Sequence, residues 1–386
     1  MAICRETLCS GCFSCMSVCP THAISVRTDV YGKTIPSIDQ SKCIECGACE
    51  KSCPVNKKID CHMPMQAVAA WSKTKQDVEE SSSGGVGAVF ARHVIIGGGV
   101  VYGSASVNGA VKHIRVDNLK DLDLLRGSKY VQSDTGTIFQ QVKRDLANGT
   151  TVLFTGVPCQ IAGLRTYLKG DYENLFTVDL ICHGTPPFQY LKEHVDHHVA
   201  LPWDRVSFRG ERDWFLSVYR QSELLYSNYK DYDLYFKAFL VGLSYRDNCY
   251  QCPYAQPKRC ADITIGDFWG IDRTSMKHPY DGRISLVLIN TPHGKQLWNQ
   301  CETEFVWEER PLEEAMNPSQ GNLLHPSVPH EERELFLSNY PTLGFEGAVA
   351  ATKLGKKVKW EKRKASIYRI GVIRVLRKVK QRLMNR

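Results

Sequence analysis

The chain has 386 residues, 43% apolar, with a formal net charge of +8, which is more than one small core organises; a main domain of about 250 residues with appendages is expected. No apolar run reaches the roughly 18 residues of a membrane span, the best stretch being broken by Arg92 and His93. "MAICRETLCSGC" has no apolar segment for a secretion signal, and twelve of the sixteen cysteines fall in dense local groups, so they read as metal ligands of a cytoplasmic protein, not as a disulfide scaffold.

The first element is a cysteine loop, Cys9, Cys12, Cys15, Cys19 and Pro20, and it returns as Cys43, Cys46, Cys49, Cys53 and Pro54. Each reads C-x2-C-x2-C-x3-C-P. Three closely spaced thiolates face one cubane, while the fourth is directed to the neighbouring one. Cys9, Cys12, Cys15 and Cys53 are therefore expected to hold one [4Fe–4S] cluster, and Cys43, Cys46, Cys49 and Cys19 the other. Structural zinc favours isolated C-x2-C pairs instead. The pattern resembles the bacterial-type two-cluster ferredoxin and is expected over residues 1–60. Cys4, Cys61 and Cys301 read as single apolar cysteines.

From residue 65 the texture changes. Strand-like runs (67–71, 100–106, 151–156, 175–182, 262–268, 285–291) alternate with helical patterns at 84–95, 136–149, 158–170 and 186–199. This predicts an α/β domain with a mixed or partly parallel sheet over 65–310. Three turns, at 81–87, 156–163 and 182–187, end a strand and open a helix with small residues, as phosphate or flavin sites do and as ordinary caps such as Ser83 also do. Tyr102 occupies a glycine position of any dinucleotide fingerprint in "GGGVVYG", and no P-loop is present. Cys182, Cys249, Cys252 and Cys260 make a second constellation, which spacing alone leaves open between a third [4Fe–4S] cluster and zinc. Cys159 begins a helix, where a lowered thiol pKa is expected; it is a further ligand or a small buried residue. His183, His194, His197 and His198 read as surface histidines.

Residues 311–352 read as a helical extension. The segment 353–386 carries fourteen Lys or Arg against Glu361, leaving −5 on residues 1–352. Within it, Tyr368, Val372, Val375, Leu376, Val379 and Leu383 form one helical face, with Arg374, Arg377, Lys378 and Arg382 opposite. An anionic membrane surface is the expected contact, the protein's own body, a partner or solvent being the alternatives, and nucleic acid is disfavoured.

Four motifs, "LRGSKYVQS" (125–133), "LFTGVPCQIAGLR" (153–165), "DLICHGTPP" (179–187) and "YRDNCYQCPYAQPKRCADITIGDFWG" (245–270), resemble the coenzyme F420 hydrogenase/dehydrogenase beta-subunit family; "SSSGGV" (81–86) and the ferredoxin module match as well. The resemblance implies an iron–sulfur flavoprotein oxidoreductase with FAD. Its flavin contacts would be Ser83, Gly84, Gly85, Gly127, Ser128, Lys129, Tyr130, Gly156, Pro158 and Gln160, with Lys129 placing charge near the ring. The same resemblance favours iron–sulfur at Cys182, Cys249, Cys252 and Cys260. A ferredoxin-like partner would exchange electrons with a two-electron carrier; the alternative is an electron-transfer subunit without a substrate of its own. Nothing in these residues selects a deazaflavin.

Overall fold

The structure is a computed structural model describing residues 3–210 and 213–365; the amphipathic helix expected from Tyr368 onward lies outside them. No helix among the described residues is long and apolar enough to cross a membrane.

The repeat in the sequence is a repeat in the backbone. Cys15 lies on the short helix Ser14–Val18 and Cys49 on Ala48–Lys51. The chain turns left-handed at matching positions, Gly11 and Phe13 (φ 66° and 52°) and Glu45 and Gly47 (φ 51° and 66°). Such residues between cysteines curl successive amides into a concave nest that suits an anionic guest. Between the loops, β1 (Ile24–Thr28) and β2 (Thr34–Ile38) form an antiparallel hairpin. Ser14 Oγ donates to Ser52 O at 3.0 Å and joins the two loops.

The remaining strands are β3 (Gln66–Ser72), β4 (Val100–Val107), β5 (Ala110–Val116), β6 (Val152–Gly156), β7 (Leu175–Leu180), β8 (Arg205–Ser207), β9 (Phe215–Arg220), β10 (Glu223–Tyr229), β11 (Ile263–Asp267), β12 (Ser285–Ile289) and β13 (Phe305–Arg310). Eight form one sheet in the order 13-3-12-11-7-6-4-5. Its centre is parallel, β4 to β6 to β7 to β11, and its flanks are antiparallel, so the sheet is mixed. Side chains alternate faces along a strand, and here both faces are covered. Val100, Tyr102, Val152 and Phe154 pack with the helices Ile138–Ala147 and Pro158–Leu168, while Val101 and Leu153 pack with Val86–Ile96 and Pro292–Cys301. Burying each such side chain contributes about 1.5–3 kcal/mol, which is why these strands read as continuous apolar runs.

β8, β9 and β10 form a separate antiparallel sheet. It shares a core with the helices Phe188–His198 and Leu234–Leu240 and with the C-terminal helical region, through Leu216, Val218, Tyr235, Phe336 and Phe345. The helix Arg333–Ala351 is broken at Gly344 (φ 63°), after Pro341. Residues 353–365 are helical and seat Leu354 and Val358 in the same core.

The N-terminal module is held to the main sheet by its cysteine-loop carbonyls. Thr135 Oγ1 donates to Cys12 O (2.8 Å), and Gln140 Nε2 to Ser17 O (2.9 Å). The buried Arg246 donates to Cys9 O (3.1 Å), Thr34 O (3.1 Å) and Gln132 Oε1 (2.8 Å).

Candidate functional site

Two cavities open in the N-terminal module. Cys9, Cys12, Cys15 and Cys53 line the inner one, and Cys19, Cys43, Cys46 and Cys49 the outer one. Each cavity thus takes three thiols from one loop and the fourth from the other. Cys4 also lines the inner cavity; its hydrogen bond draws the Cys9 thiol down to about 6 and Cys53 to about 7, while burial pushes Cys12 up to about 12. Cys4 is therefore not the isolated apolar cysteine expected. Cys301 is one, fully buried in the core.

A third set of thiols forms where the parallel strands end. Gly156 of β6 is paired with Asp179 of β7, and three residues further along the chain from each come Cys159, in the first turn of the helix Pro158–Leu168, and Cys182, just beyond the end of β7. The turn Asp247–Gln251 and the residue after it add Cys249 and Cys252. Burial raises all four thiols above their ordinary value, and the charges of neighbouring thiols raise Cys159 and Cys182 further. At Cys159 this overrides the helix N-terminus, so the expected acidification is reversed. Four mutually repelling sulfurs, Cys249 buried and the others half-buried, are a donor set that needs a cationic partner to ionise.

Cys260, expected in this set, stands elsewhere. His62 pairs antiparallel with Arg259, which places Cys61 opposite Cys260. The Cys260 thiol meets Cys61 and donates to Pro158 O at 3.4 Å. Cys159 is the thiol that lies near Cys182, Cys249 and Cys252.

The inner cavity abuts the third set. A Cβ on Gly163 would lie 2.8 Å from Cys12 Sγ. Tyr254, its hydroxyl held protonated chiefly by burial, also feels Cys260 and then Cys159, Cys12 and Cys252.

The carried-over flavin residues line neighbouring turns, but several have internal partners. Ser83 Oγ donates to Ile284 O (3.1 Å), so Ser83 is not the helix cap; Gly85, with φ 86°, is. Gly84 N donates to Ser285 Oγ (2.9 Å) and Ser128 N to Ser82 Oγ (2.7 Å). Gln160 is spent on Val157 N and Ser133 O, beside Gly156 and Pro158 at the start of its helix. The Tyr130 ring stacks on Phe239 at 4.7 Å. Lys129 donates to the carbonyls of Leu124, Leu125 and Arg126 and is pushed down to about 7, mainly by burial. Its charge is therefore turned into the backbone. Gly127 alone faces open space.

Cations missed in the sequence gather at these turns. Arg126 Nη1 and Arg209 Nε are buried without a partner among the described residues. Arg283 binds the carbonyls of Ser81 (2.6 Å) and Glu79 (3.1 Å) and is pushed down by burial and then by Arg209. Arg126 also pairs with Asp77, Glu80 and Asp123, and Arg209 with Asp267, so one N–H of each is left to meet an anionic group. Arg126 and Arg209 each sit beside a glycine, in "LRG" and "FRG", which was the available signal.

Residues 8–57 match the family model described as 4Fe-4S dicluster domain, and residues 149–315 match the model for the C-terminal part of the beta subunit of coenzyme F420 hydrogenase/dehydrogenase. An uncharacterized polyferredoxin-like protein of Methanocaldococcus jannaschii is 45% identical over 58 residues, 13% of this chain; the match spans only 34% of that relative's length. A chain of the F420-reducing [NiFe] hydrogenase complex from Methanosarcina barkeri, solved as a xenon derivative, is 17% identical, with 75% of this chain and 91% of that chain covered and a TM-score of 0.42. The chain is thus similar over residues 8–57 to 4Fe-4S dicluster domains and over residues 149–315 to the C-terminal part of the beta subunit of coenzyme F420 hydrogenase/dehydrogenase.

Proposed function

We propose that this protein is an iron–sulfur flavoprotein oxidoreductase working between a ferredoxin-like one-electron partner and a two-electron carrier. The observation that carries this reading is the succession of three thiol sets, outer, inner and third, joined at Cys12, Gly163 and Tyr254. Cys19, Cys43, Cys46 and Cys49 would hold one [4Fe–4S] cluster, and Cys9, Cys12, Cys15 and Cys53 a second. Cys159, Cys182, Cys249 and Cys252 would hold a third. Arg126, Arg209 and Arg283 would bind the anionic part of FAD, with Gly127 leaving room for its approach. Bound there, the clusters supply single-electron exchange, and FAD accepts electrons singly and releases them in pairs.

The chain's own residues set the direction of approach. Cys46 and Ile44 are exposed, so they present the outer set to a partner, whereas Cys12, Cys15 and Cys53 are closed from water. The cationic end of the chain is the proposed contact with an anionic membrane face. Iron, sulfide and released flavin counted on anaerobically purified protein test the whole reading. Twelve irons and one FAD per chain are expected; eight irons remove the third cluster, and a colourless folded protein removes the proposal. Turnover of a soluble two-electron carrier by the protein alone separates an oxidoreductase from a subunit that serves a partner.

A further inference from the structure

Of the four histidines read as surface residues, His183, His197 and His198 are exposed, whereas His194 is buried. His194 and His198, one turn apart on the helix Phe188–His198, face the same way. They meet Glu346, two residues beyond the Gly344 break. Among the described residues this is the only group of His, Cys, Asp or Glu in which three ligand atoms all lie within 4.8 Å of one another. His194 Nδ1 contacts Glu346 Oε1, and His198 Nε2 lies 3.8 Å from the same oxygen.

The surroundings hold these donors in place. His194 Nε2 bonds Asp233 Oδ2 at 3.0 Å, and Asp233 is itself fixed by Tyr226 Oη (2.8 Å) and by the amide of Phe236 (2.8 Å). A carboxylate on the far nitrogen fixes the imidazole tautomer and leaves Nδ1 free to ligate, the arrangement that supports histidine at metal sites. The His198 ring is stacked on Tyr226 at 4.9 Å. Charge points the same way: a proton on His194 between Asp233 and Glu346 leaves the cluster at −1, whereas a divalent cation with neutral imidazoles brings it to zero. The His194 and Asp233 side chains are sealed (1% and 0% exposed), while His198 (28%) and Glu346 (17%) open to solvent and provide an entry.

We propose that His194 Nδ1, His198 Nε2 and Glu346 Oε1 bind a divalent cation of the zinc class, Asp233 acting as the positioning residue. Two imidazoles and one carboxylate with an open fourth position is a zinc donor set. The ion would join the Phe188–His198 helix to the segment that restarts after Gly344. It is independent of the cysteine sites and of the redox reading.

The test uses the full-length, iron-loaded protein, equilibrated with one equivalent of Zn2+ and desalted. Metal counting is expected to give one zinc per chain with iron unchanged. Zinc K-edge absorption should show nitrogen and oxygen neighbours at about 2.0–2.1 Å and no sulfur near 2.3 Å. His198→Ala and Glu346→Gln, both at partly exposed positions, should keep their iron and thermal transition yet lose zinc. Asp233→Asn should weaken zinc roughly 10–100-fold without removing a ligand. Zinc that washes out of the wild type, or zinc with a sulfur shell, overturns the proposal; the first leaves His194 as a protonated bridge between two carboxylates.

Discussion

Cys159 shows how burial can outweigh a helix terminus. The first turn of a helix favours thiolate by a few tenths to about 1 kcal/mol, whereas desolvation beside three other thiols acts the opposite way and is larger. The proton then leaves only against a bound cation. Cys159→Ser is expected to cost about four irons per chain, and Cys260→Ser none, by iron counting on anaerobically prepared variants; the reverse result would return the site to Cys260. Cys260 was the natural choice along the chain, eight residues after Cys252. Cys159 and Cys182 come together only through the pairing of Gly156 with Asp179, a register that one sequence does not reveal. The eight N-terminal cysteines were fully legible because their partners repeat at a fixed offset.

Among the elements, the helix Pro158–Leu168 carries the closest approach between module and sheet. Gly163 is an interior helical glycine, and alanine there gains up to about 1 kcal/mol of helix propensity. Its methyl would lie 2.8 Å from Cys12 Sγ and 2.9 Å from Cys12 Cβ, an overpacking that costs about 1–3 kcal/mol. The steric effect wins: Gly163→Ala is expected to lose about 1–2 kcal/mol in thermal unfolding and to retain less iron. Six strands were legible because both faces are buried and the apolar run is continuous. β5 and β13 were missed because they lie at the sheet edges and carry charge, as in "AVKHIRV" and "FVWEER". The half-exposed β8 and β10 were missed for the same reason. "HVDHHV" was read as a wet helix face because what covers His194 comes from Asp233 and Glu346, 39 and 152 residues away.

At the scale of the whole molecule, charge is concentrated at one end. Residues 366–386 contain seven Lys or Arg and no acid, so ending the chain at 365 takes the net charge from +8 to +1. Leu354 and Val358 stay in the core, so that cut should spare folding. Each cation near an anionic leaflet contributes about 1 kcal/mol. Co-sedimentation with anionic vesicles should therefore be lost on truncation and should fall with salt in the full chain; undiminished binding would place the contact elsewhere. The membrane reading came from composition alone, which locates charge but not its partner.

The docking of the N-terminal module has one more consequence. Arg246, Thr135 and Gln140 grip the carbonyls of Cys9, Cys12 and Ser17 themselves, and the backbone pairing of His62 with Arg259 fastens the linker. A carrier domain on a loose tether shuttles between stations and waits on diffusion. On the proposed function the stations would be riveted together at the loops that bear the ligands, so tunnelling distances would be set at folding and solvent viscosity would have no hold on the internal hop.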